Sequence, residues 1–241
     1  MEDKATTVSV IEKELYPYQA EAIEKIFTVF EKVKGKVDVL FQLPTGGGKT
    51  IIFSEIAKKF IGDTGKNVLI LTHRVELCAQ TSKALSEIDV KNKIIDRDVK
   101  ELHDREEYNC YVAMVETLNN RLTEDDQYLR NVGLVIIDEA HYNSFRKLFK
   151  FFKEANMLGV TATPLSSNRN LPLNENYSEL LVAHSIKRLI ADEYLSNSTS
   201  YTFNVTLRSL KVGTDGDYTI SSFNRLYSCY NMHTRILATN K

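Results

Sequence analysis

Five short runs of mainly aliphatic residues recur along the chain: Val37–Leu43, Val68–Leu71, Cys110–Val115, Val132–Ile137 and Met157–Val160. Strands that are apolar on both faces need cover on both faces, which is the condition of a parallel sheet held between helices. The intervening stretches Thr50–Ile61, Val75–Ile88 and Ser144–Glu154 are amphipathic at helical spacing. Ahead of the first run, Ala22, Ile23, Ile26, Phe27, Phe30 and Val33 predict a helix over Pro17–Val33, with Pro17 placed where its missing N–H is harmless. The expected fold is α/β and doubly wound, a mostly parallel sheet flanked by helices. Right-handed crossovers bring every strand's carboxyl end to one edge, where sheets of this kind bind ligands.

Smaller features complete this reading. Phe145, Leu148, Phe149 and Phe152 fall on one face of the helix expected at Ser144–Glu154, with the interleaved lysines on the wet side. A short strand is expected at Lys93–Ile95 inside the charge-rich connection Asp89–Asn109. Ser166–Asn176 reads as a polar loop, Ile186–Asp192 as a helix, and Tyr201–Leu207 as having strand character. A net charge of −1 excludes a histone-like polycation but not a local phosphate-binding groove. The three cysteines, Cys78, Cys110 and Cys229, are odd in number and form no CxxC pair. Reduced thiols in a cytosol fit them better than a disulfide frame or a zinc site. No apolar run nears the ~18 residues that span a membrane, and the N-terminus lacks an apolar signal core. The expectation is a cytoplasmic protein with no membrane partner.

The chemistry concentrates in two places. Leu43-Pro44-Thr45-Gly46-Gly47-Gly48-Lys49-Thr50 follows the first strand and opens a helix. Consecutive glycines let several N–H groups face one anion, and the helix terminus adds partial positive charge. Thr45, Gly46, Gly47 and Gly48 would cradle the phosphates of a nucleotide, Lys49 would reach the β- and γ-phosphates, and Thr50 would ligate Mg²⁺. Leu43 stands where the generic pattern has Gly. Val132–Ile137 then runs into Asp138-Glu139-Ala140-His141, so a strand delivers two adjacent carboxylates to the same edge. Asp138 would hold Mg²⁺ and Glu139 would polarise the attacking water.

Together with Thr161-Ala162-Thr163-Pro164, these motifs resemble the N-terminal RecA-like P-loop domain of superfamily 2 DEAH-type helicases and translocases, in the type III restriction and DNA repair group. The resemblance implies further roles. Leu15-Tyr16-Pro17-Tyr18-Gln19 is similar to the motif whose Gln, here Gln19, reads the adenine edge; Tyr16 stands where members often carry Arg. His73-Arg74 with Leu77 and Gln80 is similar to a motif contacting a nucleic-acid backbone, as is Met114-Val115-Glu116-Thr117-Leu118, where Thr117 is the contact and Glu116 replaces the usual Gln. Thr161 and Thr163 would couple nucleotide state to nucleic acid, with His141 as partner across the site. Ile186–Leu195 resembles the crossing segment of the same group.

The implied organisation is a tail over 1–14, a RecA-like ATP-binding domain over 15–185, and a segment over 186–241 crossing toward a second RecA-like domain. The residues after Pro164 are too few for another domain of ~150 residues, and the second domain of such motors supplies the arginines that stabilise the transferring phosphoryl group. The chain therefore reads as the ATP-binding half of an ATP-dependent helicase or translocase, feeble in turnover alone, with DNA ahead of RNA as partner. The alternatives are an RNA helicase half and a non-motor switch in which ATP gates a protein partner. His103, His184 and His233 lack partners at metal-ligand spacing, and the spacing of Tyr201, Tyr218, Tyr227 and Tyr230 demands no shared role.

Overall fold

The computed structural model describes residues 14–103, 105–197, 210–211 and 219–228. Cys229, His233, Tyr201, Tyr218, Tyr230 and the strand expected at Tyr201–Leu207 lie outside them. The chain divides into two compact units, Met1–Ser196 and Asn197–Lys241. In the second, the described helix α6 (Ile220–Tyr227) follows Thr219, whose N–H donates to the Lys211 carbonyl at 2.8 Å.

The first unit is built on seven strands: β1 (Asp38–Gln42), β2 (Asn67–Thr72), β3 (Asn92–Ile95), β4 (Cys110–Met114), β5 (Val132–Asp138), β6 (Asn156–Thr161) and β7 (Glu179–Val182). All pair in parallel, in the order β3-β4-β2-β5-β6-β1-β7. Helices α1 (Pro17–Lys32), α2 (Lys49–Thr64), α3 (Val75–Glu87), α4 (Val115–Glu124) and α5 (Ile186–Ala191) accompany them.

The period of two along each strand sorts the core into two layers. Val68, Ile70, Val112, Leu134, Ile136 and Leu158 pack with Ile26 of α1 and Phe53 and Ile56 of α2. Their neighbours Leu69, Leu71, Tyr111, Val135, Ile137 and Met157 face the other way, against Leu118 and Leu122 of α4, Phe145 and Leu148. Each fully buried aliphatic side chain contributes roughly 1.5–3 kcal/mol. Both layers are needed, which is why the central runs carry almost no polar residue.

Two expectations need correction. Asn143–Phe151 forms 3₁₀ turns rather than the α-helix expected over Ser144–Glu154. Phe145 and Leu148 are buried as expected, but their spacing of three suits a 3₁₀ face as well as an α face. Polar ties fix the tighter form. Arg146 donates to Asn143 Oδ1 (3.1 Å), Glu175 Oε2 (2.7 Å) and the Pro172 carbonyl (2.5 Å), and Asn143 Nδ2 donates to Ser166 Oγ (2.9 Å). The Asp89–Asn109 connection contains the expected short strand but is not merely solvated. Leu102 is buried, and the Arg121 guanidinium donates to the carbonyls of Arg97 (2.6 Å) and Val99 (3.1 Å). Strand β7 and helix α4 were not anticipated as elements.

Candidate functional site

The carboxyl ends of five adjacent strands form one row. Register pairs Gln42 with Thr161, Asp138 with Val160, Leu71 with Ile137, and Thr72 with Met114. At a strand spacing of roughly 4.8 Å, residues far apart in sequence become lateral neighbours. Of the residues given a nucleotide, metal, catalytic or backbone-contact role from the sequence, all except Gln19, on α1, lie on or just past these five strand ends.

The glycine loop leaves β1 and turns into α2. Gly46 and Gly48 have φ of +83° and +80°, and Gly48 is the N-cap of α2 without a side-chain cap. A Cβ at Gly48 would stand 2.4 Å from Gln19 Nε2. Gln19 is 2% exposed, and its Oε1 accepts from the Tyr16 N–H at 3.0 Å. Its amide is thus held against the cradle from the first turn of α1. Leu43 is fully buried beneath the loop, and a Cβ on Gly47 would meet its Cγ at 2.8 Å. The departure at Leu43 therefore faces the core and leaves the cradle open.

Three supports of this loop went unassigned in the sequence reading. The Tyr18 hydroxyl donates to the Gly47 carbonyl at 2.9 Å. The Tyr194 ring packs at a tilt against both Tyr16 and Tyr18, with centroids 4.8 Å apart in each pair. Leu195 Cδ2 lies 3.0 Å from where a Gly46 Cβ would be. Tyr18 stands beside Gln19 in the opening motif, so its position carried a signal; Tyr194 and Leu195 carried none beyond the resemblance of their segment.

The acid pair lies opposite. Asp138 is 8% exposed, and its carboxyl is pushed up to about 6, first by burial and then by the Glu139 charge, against the pull of Lys49 and of the Glu139 N–H bonded to it at 3.0 Å. Glu139 has φ +51°, a left-handed conformation costing a non-glycine residue about 1–2 kcal/mol. The turn is held by the Ala140 N–H on the Val160 carbonyl (3.0 Å) and the Tyr142 N–H on the Glu139 carbonyl (3.1 Å). Lys49 Nζ lies 3.7 Å from Glu139 Oε1, and His141 Nδ1 lies 3.3 Å from Glu139 Oε2 and 3.0 Å from Thr161 Oγ1. Thr161 Oγ1 in turn bonds both the carbonyl and the N–H of Thr163, each at 3.1 Å. A carboxylate only accepts, and the Thr161 hydroxyl proton is directed at the Thr163 carbonyl, so the proton on His141 belongs on Nδ1. Lys49, Glu139, His141, Thr161 and Thr163 thus form one contact chain across β1, β5 and β6.

The donor set fits a hard divalent cation shared with phosphates. Among the described residues no cluster of three or more His, Cys, Asp or Glu could hold a metal by itself. Asp138 offers one buried carboxylate whose ionisation is opposed until a cation arrives. Mg²⁺ ordinarily takes one or two protein ligands, several waters and phosphate oxygens, so Asp138 with the Thr50 hydroxyl at the cradle suits a Mg²⁺ that comes with a nucleotide.

Two more helices open on the same edge. The N-termini of α3, at Arg74, and of α4, at Met114, lack side-chain caps, whereas Ser185 caps α5 by accepting from the Arg188 N–H. Uncapped amino ends are ready anion sites. Arg74 is exposed, and Thr117 lies in the first turn of α4. A groove of about 770 Å³ between these ends is lined by Val75, Cys78, Met114, Thr117, Asn120 and Arg121, among others. The acid at Glu116 is ion-paired with Lys147, which offsets its charge beside the groove. His73 is held below the ordinary imidazole range, first by burial and then by Arg74, and its Nδ1 is buried without a partner.

A parallel sheet with a glycine cradle on one strand end, an acid pair on another and a Thr pair between them defines a class, the N-terminal RecA-like motor domain of superfamily 2 helicase-type proteins. The chain belongs to the type III restriction enzyme res-subunit family, which matches residues 12–166. IRC3 of Saccharomyces cerevisiae, named for ATP-dependent helicase activity, is 29% identical over 93% of this chain and 34% of its own length. A type I restriction EcoAI endonuclease subunit of Escherichia coli is 25% identical over 74% of this chain and 23% of its own. The chain thus spans about a third or less of these relatives. The same fold is found in the type ISP enzyme LlaGI, solved with a DNA substrate mimic (TM-score 0.58, 18% identity, 76% of this chain and 21% of that one). It recurs in the Pyrococcus furiosus Hef helicase domain (TM-score 0.54, 23% identity, 68% and 38%).

Proposed function

We propose that the chain is the ATP-binding half of a nucleic-acid-stimulated ATPase, a DNA helicase or translocase that works when joined to a second RecA-like domain. The contact chain from Lys49 through Glu139 and His141 to Thr161 carries this reading. It ties a phosphate-binding loop, a carboxylate base and a turn beside the nucleic-acid edge into one unit. Three uncapped helix ends on a single edge support it, one for nucleotide phosphates and two for a strand backbone.

In this reading the γ-phosphoryl group of ATP passes to water with ADP as the leaving group, and a bound Mg²⁺ would neutralise the charge that develops. Thr45, Gly46 and Gly48 would offer N–H groups to the phosphates, Gly47 closes the loop with its N–H on the Pro44 carbonyl at 3.1 Å, and Gln19 would read the base from beside the loop. The Lys49 ammonium exchanges its contact with Glu139 for phosphate oxygens. Thr50 and Asp138 would ligate the metal. Glu139, freed from Lys49 but held by the His141 Nδ1–H, accepts a proton from water. His73, Arg74 and Thr117 hold the strand backbone, and Thr161 and Thr163 link the two events. Residues 15–185 are the ATP-binding domain, 1–14 a tail, and 186–241 the crossing to its partner domain. Free, buried Cys78 and Cys110 suit a reducing compartment, and we assign the protein to the cytoplasm. Among the described residues no helix is long and apolar enough to cross a membrane.

DNA is favoured over RNA by the family and by the DNA-bound neighbour, although several of the relatives carry RNA helicase names. ATP turnover of the full natural protein, measured with duplex and single-stranded DNA and RNA, tests this directly. Stimulation by DNA is expected. Stimulation by RNA alone would reverse the partner, and stimulation by neither would favour a nucleotide switch. Lys49→Ala should abolish nucleotide binding, whereas Glu139→Gln should bind nucleotide without hydrolysing it.

A further inference from the structure

Three rings stand in line between the uncapped end of α3 and the acid pair. Tyr142 lies 4.6 Å from His73 and 4.3 Å from His141, centroid to centroid, with interplanar angles of 37° and 36°. The arrangement follows from topology. β2 and β5 are hydrogen-bonded neighbours with Leu71 opposite Ile137, so the turns that follow each strand meet side by side. Tyr142 is 37% exposed, which is more than a residue filling the core requires. It has a second grip on the same turn, since its N–H donates to the carbonyl of Glu139, the left-handed residue whose carboxylate faces Lys49. One residue therefore touches the imidazole that holds Glu139, the backbone of Glu139 itself, and the ring next to Arg74.

We propose that Tyr142 is a positioning residue that couples the α3 edge to hydrolysis, its ring transmitting the placement of His73 to His141 and hence to Glu139. The inference rests on the motor reading above. The physical warrant is the ring contact and not the hydroxyl, because aromatic faces in van der Waals contact cannot shift independently.

The test compares wild type, Tyr142→Ala and Tyr142→Phe in the full natural protein. The readouts are nucleotide affinity, the ratio of nucleic-acid-stimulated to basal turnover, and the thermal midpoint. Tyr142→Ala should leave nucleotide affinity intact and lower the stimulation ratio about tenfold, the scale of ordinary coupling between two sites. Tyr142→Phe should behave as wild type. Should Tyr142→Ala fail to fold, Tyr142→Leu keeps the bulk without the ring and should show the same loss. Full stimulation in the Ala or Leu variant overturns the inference, as does equal loss in Tyr142→Phe. A wild-type protein that no nucleic acid stimulates refutes the motor reading and the inference with it. A stimulated wild type with an equally stimulated Tyr142→Ala refutes the inference alone.

Discussion

Replacing Gly48 by Ala tests whether the cradle is held in shape by a neighbour or merely permits binding. Two costs follow from the structure. At φ +80° an L-residue loses about 1–2 kcal/mol relative to Gly. The new Cβ would also stand 2.4 Å from Gln19 Nε2, so the buried Gln19 side chain must move and give up its 3.0 Å bond to the Tyr16 N–H. Leaving that part-buried pair unsatisfied costs about 1–3 kcal/mol. Together these are roughly 2–5 kcal/mol, divided between fold stability and the work of restoring the loop on binding. If all of it falls on binding, affinity for ATP drops about 30- to 5000-fold. Titration with a fluorescent ATP analogue, alongside denaturant unfolding of the same variant, measures both shares. Gly35→Ala serves as the control, since Gly35 has φ +106° and nothing within 4 Å of its would-be Cβ. It should lose stability but not nucleotide affinity. Combining Gly48→Ala with Gln19→Ala removes the collision and leaves only the backbone strain, so the two changes should be non-additive by about 1 kcal/mol or more. Strict additivity would refute the collision argument. A Gly48→Ala protein that binds within about twofold of wild type and unfolds at the same denaturant concentration would refute the strain argument as well.

Other predictions are simpler. Tyr18→Phe removes the hydroxyl from the Gly47 carbonyl and should cost about 1 kcal/mol, shared between fold stability and nucleotide binding, so that affinity falls by up to roughly fivefold; unchanged affinity and stability together would show that the loop keeps its shape without it. Glu139→Gly relieves the left-handed strain at φ +51° and should raise unfolding stability by about 1 kcal/mol while removing ATP turnover, which denaturant melts and a phosphate-release assay would show together. Asp38, with its Oδ1 buried and unpartnered, has its carboxyl held above the ordinary range chiefly by burial, against the 3.3 Å contact with Lys36. In the window above the ordinary aspartate value the folded state then binds more protons than the unfolded one, so this group's contribution to stability falls as pH rises through that window. Asp38→Asn should flatten that part of the stability profile, and a wild-type profile already flat there would contradict the assignment.

The elements that were legible in the sequence share a cause. Each central strand is buried on both faces, so its apolar run survives any arrangement of its neighbours, and the glycine loop and the acid pair are contiguous strings. Lys49, Asp138 and Glu139 could therefore be named and sent to one edge by the parallel rule, while His141 and Thr161 were named by the family resemblance. Where two local forms satisfy the same pattern, sequence did not choose. Apolar residues three apart at Phe145 and Leu148 suit α and 3₁₀ turns alike, and Arg146 decided between them by reaching Glu175 and Pro172, residues remote in the chain. Strand β7, with Leu180 and Val182 exposed on the sheet's edge, has no buried pattern to read.

What the sequence by itself determined is the five central strands, their burial on both faces and the identity of the chemical groups, because these depend on residue type and short-range periodicity. Only the tertiary structure decided the strand order β3-β4-β2-β5-β6-β1-β7, and with it which groups touch. That order sets β5 between β2 and β6, so Tyr142 meets His73 on one side while His141 meets Thr161 on the other. It also leaves α1 beside the glycine loop, where Tyr18 and Gln19 hold a cradle whose own residues say nothing of them. Such contacts arise from packing whole layers, and no local stretch of sequence encodes them.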